Sequence, residues 1–106
     1  MVVLKEKMAF LKILPAGELP PGTLRHVEVE GLGLAVCNVE GTVYAMADEC
    51  PHAGAPLGQG ALHGHTIVCP WHAWSFDCRT GGCDFNSVKL ETFPARVEDG
   101  HVWIDF

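Results

Sequence analysis

At 106 residues the chain has the length of one domain. It is 48% apolar and 19% charged, a balance that buries a core and excludes a disordered segment. The formal net charge of −6 lacks the basic footprint of a nucleic-acid binder, and no apolar run approaches the roughly 18–20 residues of a membrane span.

Met1–Phe10 has neither the apolar run nor the small-residue cleavage site of a secretory signal, so a cytoplasmic protein that meets neither nucleic acid nor membrane is expected. Pro20-Pro21-Gly22 forbids regular structure just ahead of the first alternating run, Thr23–Glu30. Gly33–Val39 and Thr42–Ala47 follow, then Thr66–Cys69, Leu90–Glu98 and His101–Phe106. Glu30-Gly31, Glu40-Gly41 and Asp99-Gly100 punctuate these runs as turns. The last, an Asp-Gly between two alternating segments, is a strong hairpin signal. Helical periodicity, repeats and linkers find no clear place. The pattern predicts an all-β single domain over residues 1–106, a small sandwich or barrel.

From Asp48 to Asn86 the pattern changes. Cys, His, Gly, Pro and Trp dominate, and within this segment only Thr66–Cys69 reads as strand. About forty residues with so little regular structure need a reason to be ordered, and a bound metal centre is one. The chain has five cysteines (37, 50, 69, 78, 83) and six histidines (26, 52, 63, 65, 72, 101). An odd cysteine count without a secretory signal argues against a disulfide framework. Two tight pairs stand out, Cys50-Pro51-His52 and Cys69-Pro70-Trp71-His72, separated by the sixteen residues Ala53–Val68. Small residues follow each pair, Ala53-Gly54-Ala55 and Ala73, and let backbone N–H groups approach a cluster's sulfurs.

Three readings compete for these pairs. The first is a chance repetition of a buried thiol beside a satisfied histidine. The second is a Cys₂His₂ zinc site, although a zinc finger takes its two cysteines from one element and its two histidines from another. In the third, two loops that each bring one Cys and one His clamp a flat two-iron unit from opposite sides, with both cysteines on one iron and both histidines on the other.

Cys-X-His, sixteen residues, then Cys-X-X-His is the pattern of the Rieske family, which the chain resembles over roughly Phe10–Phe106. Cys50–Leu57 (CPHAGAPL) is similar to the first cluster loop of soluble Rieske proteins. Cys69–Asp77 (CPWHAWSFD), with the Arg79-Thr80-Gly81 turn, is similar to the second, and Phe93–Trp103 to the final hairpin. The resemblance implies a core of antiparallel β-sheets with a cluster-binding subdomain inserted at about 48–86. It implies one Rieske-type [2Fe-2S] cluster on Cys50, His52, Cys69 and His72. It also implies a non-catalytic one-electron carrier that takes electrons from a reductase and passes them to a terminal oxygenase. The small subunit of an NAD(P)H-dependent nitrite reductase resembles the same loops; its partner would be the nitrite reductase large subunit, held in a stable complex. A redox-sensing binding module is a third possibility.

Two ferric ions, two sulfides and two thiolates sum to zero charge when the histidines are neutral, so the histidine-ligated iron is the one expected to be reduced. Family potentials span roughly −150 to +300 mV. High-potential relatives carry a disulfide between the two loops and place Ser and Tyr as hydrogen-bond donors after the second His. This chain has Ala55 and Trp71 at the disulfide positions, and Trp74 and Phe76 at the donor positions. A low potential is therefore expected, with electrons leaving through His52 and His72.

The remaining candidates are weaker. Cys78 and Cys83 bracket Arg79–Gly82 and read as a core residue and a turn or strand residue, with a disulfide or a third metal ligand as alternatives. Cys37 reads as a small buried hydrophobe. His63 and His65 read as a solvated turn, with an auxiliary metal as the alternative. His26 and His101 carry no signal. Trp71 and Trp74 are expected to shield the cluster, and Trp103 to be core. Between Arg25 and Arg79 there is no Lys or Arg, against six acids: Glu28, Glu30, Glu40, Asp48, Glu49 and Asp77. Those acids form either a solvated surface or a rim that steers basic partners.

Overall fold

The computed structural model describes residues 10–48, 57–69, 74–83 and 89–105. Ten strands account for most of them: β1 Phe10–Pro15, β2 Leu24–Val29, β3 Leu32–Val39, β4 Thr42–Ala47, β5 Ala61–His63, β6 Thr66–Val68, β7 Ser75–Asp77, β8 Thr92–Phe93, β9 Ala95–Glu98 and β10 His101–Asp105. The helical content of the described residues is two 3₁₀ turns, Ala16–Glu18 and Leu57–Gln59. The strands form three sheets, ordered β1-β10-β9, β2-β3-β4-β8 and β5-β6-β7. Every pairing within them is antiparallel. The all-β, antiparallel expectation holds.

Three hairpins sit where the turn dipeptides predict them. Both central residues of each have positive φ: Glu30 and Gly31 at 53° and 82°, Glu40 and Gly41 at 53° and 96°, Asp99 and Gly100 at 55° and 74°. That is the backbone of a two-residue turn whose twist matches the flanking strands.

Elsewhere the sequence reading is corrected. Leu90–Glu98 is not one strand. Pro94 splits it, because it has no N–H to donate to a ladder. Thr92 and Phe93 pair with β4, whereas Ala95–Glu98 pairs with β10, from Ala95 opposite Ile104 to Glu98 opposite His101. The chain thus crosses from one sheet to another at Pro94. Strands β1, β5 and β7 were not expected; each is held by a partner outside its own sequence neighbourhood or by a short ladder.

β3 runs down the middle of the molecule, and its residues alternate between two cores. Leu34 and Val36 pack with Leu14, Leu19, Val43, Ala45, Val102 and Ile104, toward the β1-β10-β9 sheet. Ala35, Cys37 and Val39 pack with Met46, Leu57, Ile67, Phe76 and Cys78, toward the β5-β6-β7 sheet. Burial on both faces explains why Leu34–Val39 is a nearly unbroken apolar run. Its one polar member, Asn38, is satisfied: its amide donates to Leu19 O (2.8 Å) and its oxygen accepts from Gly41 N (2.8 Å).

Candidate metal centre

Of the four expected ligands, Cys69 lies among the described residues; Cys50, His52 and His72 lie outside them. Cys69 follows directly on β6 and is 2% exposed. Its N–H donates to Trp74 O at 2.8 Å, so the two residues that bracket 70–73 are joined by a backbone bond. Leu57, Ile67 and Phe76 are buried in the same core, and Trp74 packs against it at 6.5 Å from the Phe76 ring. A free thiol at the end of a strand, in an apolar lining, fits the sulfur ligand of a cluster kept from water. Gly60 allows the approach of the neighbouring turn, since a Cβ there would lie 2.0 Å from Val68 O. Trp74, expected to shield the cluster, packs against this core, and Trp71 lies outside the described residues.

A second arrangement, absent from the sequence reading, involves residues on either side of the other predicted loop in sequence, Asp48 and Gly58. Asp48 follows directly on β4 and its side chain is fully buried. Its N–H donates to Gly33 O (3.0 Å), its Oδ1 accepts from Gly58 N (2.9 Å), and its Oδ2 accepts from His26 Nδ1. On the other side of the ring, His26 Nε2 lies 3.6 Å from Glu28. The Asp48 hydrogen bond raises the His26 pKa above its ordinary value, with the Asp48 and Glu28 charges adding to it and partial burial opposing. Two sequence expectations are corrected here. His26 is not without a role, and Asp48 is withdrawn from the acidic rim. Asp77 is also paired, with Arg79 at 2.8 Å, and that guanidinium holds its carboxyl below the usual range. The exposed acids of the rim that the structure describes are therefore Glu28, Glu30 and Glu40.

The other candidates resolve as follows. Cys37 and Cys78 are both buried in the core that holds Cys69. A hydrogen bond with Cys78, and burial, hold the Cys37 thiol well above its ordinary pKa, so it stays protonated. Cys78 and Cys83 are free thiols, so the disulfide alternative fails. His65 stacks edge-on against Tyr44 (5.9 Å between centroids), and its carbonyl accepts from Cys78 N. Among the described residues no group of three or more His, Cys, Asp or Glu is placed to hold a metal ion. Trp103 is not core: it is only partly buried, its indole N–H donates to Glu98 O, and Lys12 lies over its ring. Val102 and Ile104 are the buried residues of that strand.

Comparisons with known proteins agree with this geometry. The family model for the Rieske [2Fe-2S] domain matches residues 9–94. The chain is 39% identical over 90 residues to the naphthalene 1,2-dioxygenase system ferredoxin component of Pseudomonas aeruginosa, covering 83% of this chain and 86% of that protein. Among solved structures, a chain in the complex of reduced oxygenase and oxidized ferredoxin in carbazole 1,9a-dioxygenase superposes with a TM-score of 0.84 at 35% identity, over 93% of this chain and 94% of that one. A protein assigned as the small subunit of an NADPH nitrite reductase superposes with a TM-score of 0.80 over 92% of this chain and 98% of that one, but at 23% identity it shows the fold alone. The chain belongs to the Rieske [2Fe-2S] domain family, whose cofactor is a Rieske-type [2Fe-2S] cluster.

Proposed function

We propose that the chain is a one-electron carrier that takes an electron from a reductase and delivers it to a terminal oxygenase. Cys50 and Cys69 would hold one iron, His52 and His72 the other. When bound, the cluster supplies a site that takes up one electron on its histidine-ligated iron. The observation that carries the reading is the extent of the likeness to a dioxygenase-system ferredoxin component, 83% of this chain against 86% of that protein. A second likeness of the same extent, 93% of this chain and 94% of the matched one, is to a chain in the oxygenase–ferredoxin complex of carbazole 1,9a-dioxygenase.

The chain's own residues bind and shield. Cys69 supplies a buried thiol, its N–H fixes Trp74, and Phe76, fully buried, closes the apolar floor. Phe76 has no hydroxyl to donate to a sulfur, which supports a potential toward the low end of the family range. We take residues 1–106 as one domain in which 48–86 is the cluster-binding subdomain; the β5-β6-β7 sheet falls inside that segment. No helix of the described residues is long and apolar enough to cross a membrane. A cytoplasmic location is part of the proposal.

The test is reoxidation. Reduced chain, mixed with a terminal oxygenase of the naphthalene or carbazole type, is expected to return one electron per chain and to leave the complex. Failure to reoxidise, together with stable copurification with a flavin- or sirohaem-bearing subunit, would overturn the carrier reading in favour of a nitrite reductase subunit.

A further inference from the structure

We propose that His26, Asp48 and Gly58 form a clasp that positions the first ligand loop, and that this clasp governs how long the chain retains its cluster. The inference rests on the reading of Cys50 and His52 as cluster ligands.

The chain leaves the described structure at Asp48 and returns at Leu57, and the stretch between contains Cys50 and His52. Asp48 and Gly58, on either side of that stretch, are joined by a 2.9 Å hydrogen bond from Gly58 N to Asp48 Oδ1. The second oxygen of the same carboxylate is taken by His26 on β2, a strand of the central sheet. One buried carboxylate therefore ties both stems of the loop to the sheet beneath. Asp48 N donates to Gly33 O on β3, which fixes its backbone as well.

The packing around His26 points the same way. A Cβ on Gly58 would lie 2.6 Å from both His26 Cα and N, so a glycine is required for the 3₁₀ turn to rest on the β2 backbone. A Cβ on Gly33 would lie 3.1 Å from His26 Cε1. Two glycines thus leave room for one histidine. Leu57, beside Gly58, is completely buried and anchors the returning stem in the core that holds Cys69. A buried carboxylate is costly unless its oxygens are hydrogen-bonded, and here both are. Removing either partner leaves the other unsatisfied, so the three residues act as one unit.

The experiment measures loss of the visible cluster absorbance from folded holo-protein challenged with EDTA, alongside the thermal midpoint of each apo-protein. His26→Ala and Asp48→Ala are each expected to shorten the cluster half-life about tenfold, the usual scale for groups that orient metal ligands. The double variant is expected to be no worse than the worse single one, the non-additivity of residues acting together. Asp48→Asn retains an oxygen for Gly58 N and an amide for His26, so it should restore most of the lifetime. It also carries the test if Asp48→Ala fails to fold. Half-lives within twofold of wild type, additive losses, or losses wholly matched by a lower apo midpoint overturn the clasp. Wild-type protein without a Rieske EPR signal instead overturns the cluster reading on which the clasp rests.

Discussion

His26 has a consequence for stability that can be measured without the cluster. Its folded-state pKa is raised above 6.5, chiefly by the hydrogen bond it donates to Asp48. A group shifted this way contributes stability that is fully present below about pH 6.5 and is lost as pH rises through the folded value. The apo-protein should therefore lose thermal stability across that window, and His26→Gln should flatten the change; identical profiles would contradict the ion pair. Because about a third of the ring is exposed, the effect is damped by solvent. Steric demands make a second prediction. Gly60→Ala places a Cβ 2.0 Å from Val68 O and should destabilise the protein by about 1–3 kcal/mol, whereas Gly17→Ala meets nothing within 4 Å and should be close to neutral by denaturant titration. Cys83→Ser, which replaces none of the proposed ligands, should leave the cluster spectrum intact, while His72→Cys should change or abolish it.

The hairpins show which parts of the fold local chemistry dictates. Each turn needs two residues of positive φ, and a glycine in the second place was visible as Glu30-Gly31, Glu40-Gly41 and Asp99-Gly100. Glutamate in the first place is a poor fit to that conformation, and asparagine a good one. Glu40→Asn should raise the unfolding free energy by about 0.5–1 kcal/mol, read as a higher denaturant midpoint at unchanged slope. A midpoint that falls would mean that Glu40 makes a contact worth more than its strain. Strands were legible where alternation was long, as in β2, β3 and β4. They were not legible in β5 and β7, three residues each, too short for a period to register. β1 draws its order from β10, about ninety residues away, which no local pattern reports. Pro94 was visible, yet the run around it reads as strand until the sheet on each side is known.

At the scale of the whole molecule, Leu57 and Cys69, which flank the two predicted ligand segments, are buried in one core. The ligand set was legible because its signal is short-range: one residue between Cys50 and His52, two between Cys69 and His72. The clasp was not, because His26 and Asp48 are brought together only by the β2-β3-β4 pairing. Periodicity assigned His26 to a strand and Asp48 to a charged surface, and neither assignment contains the other residue. The same pairing explains why the acidic rim is smaller than its sequence count: Asp48 is turned inward and Asp77 is neutralised by Arg79. Electron carriage by this chain requires a two-iron centre with mixed ligation, expected at low potential. EPR of the dithionite-reduced protein, with direct electrochemistry on the same sample, tests it. A rhombic signal with an average g below that of all-cysteine [2Fe-2S] proteins, and a potential toward the bottom of the Rieske range, is the predicted result. A colourless, EPR-silent protein that still holds stoichiometric zinc would contradict it and leave a structural metal domain in place of an electron carrier.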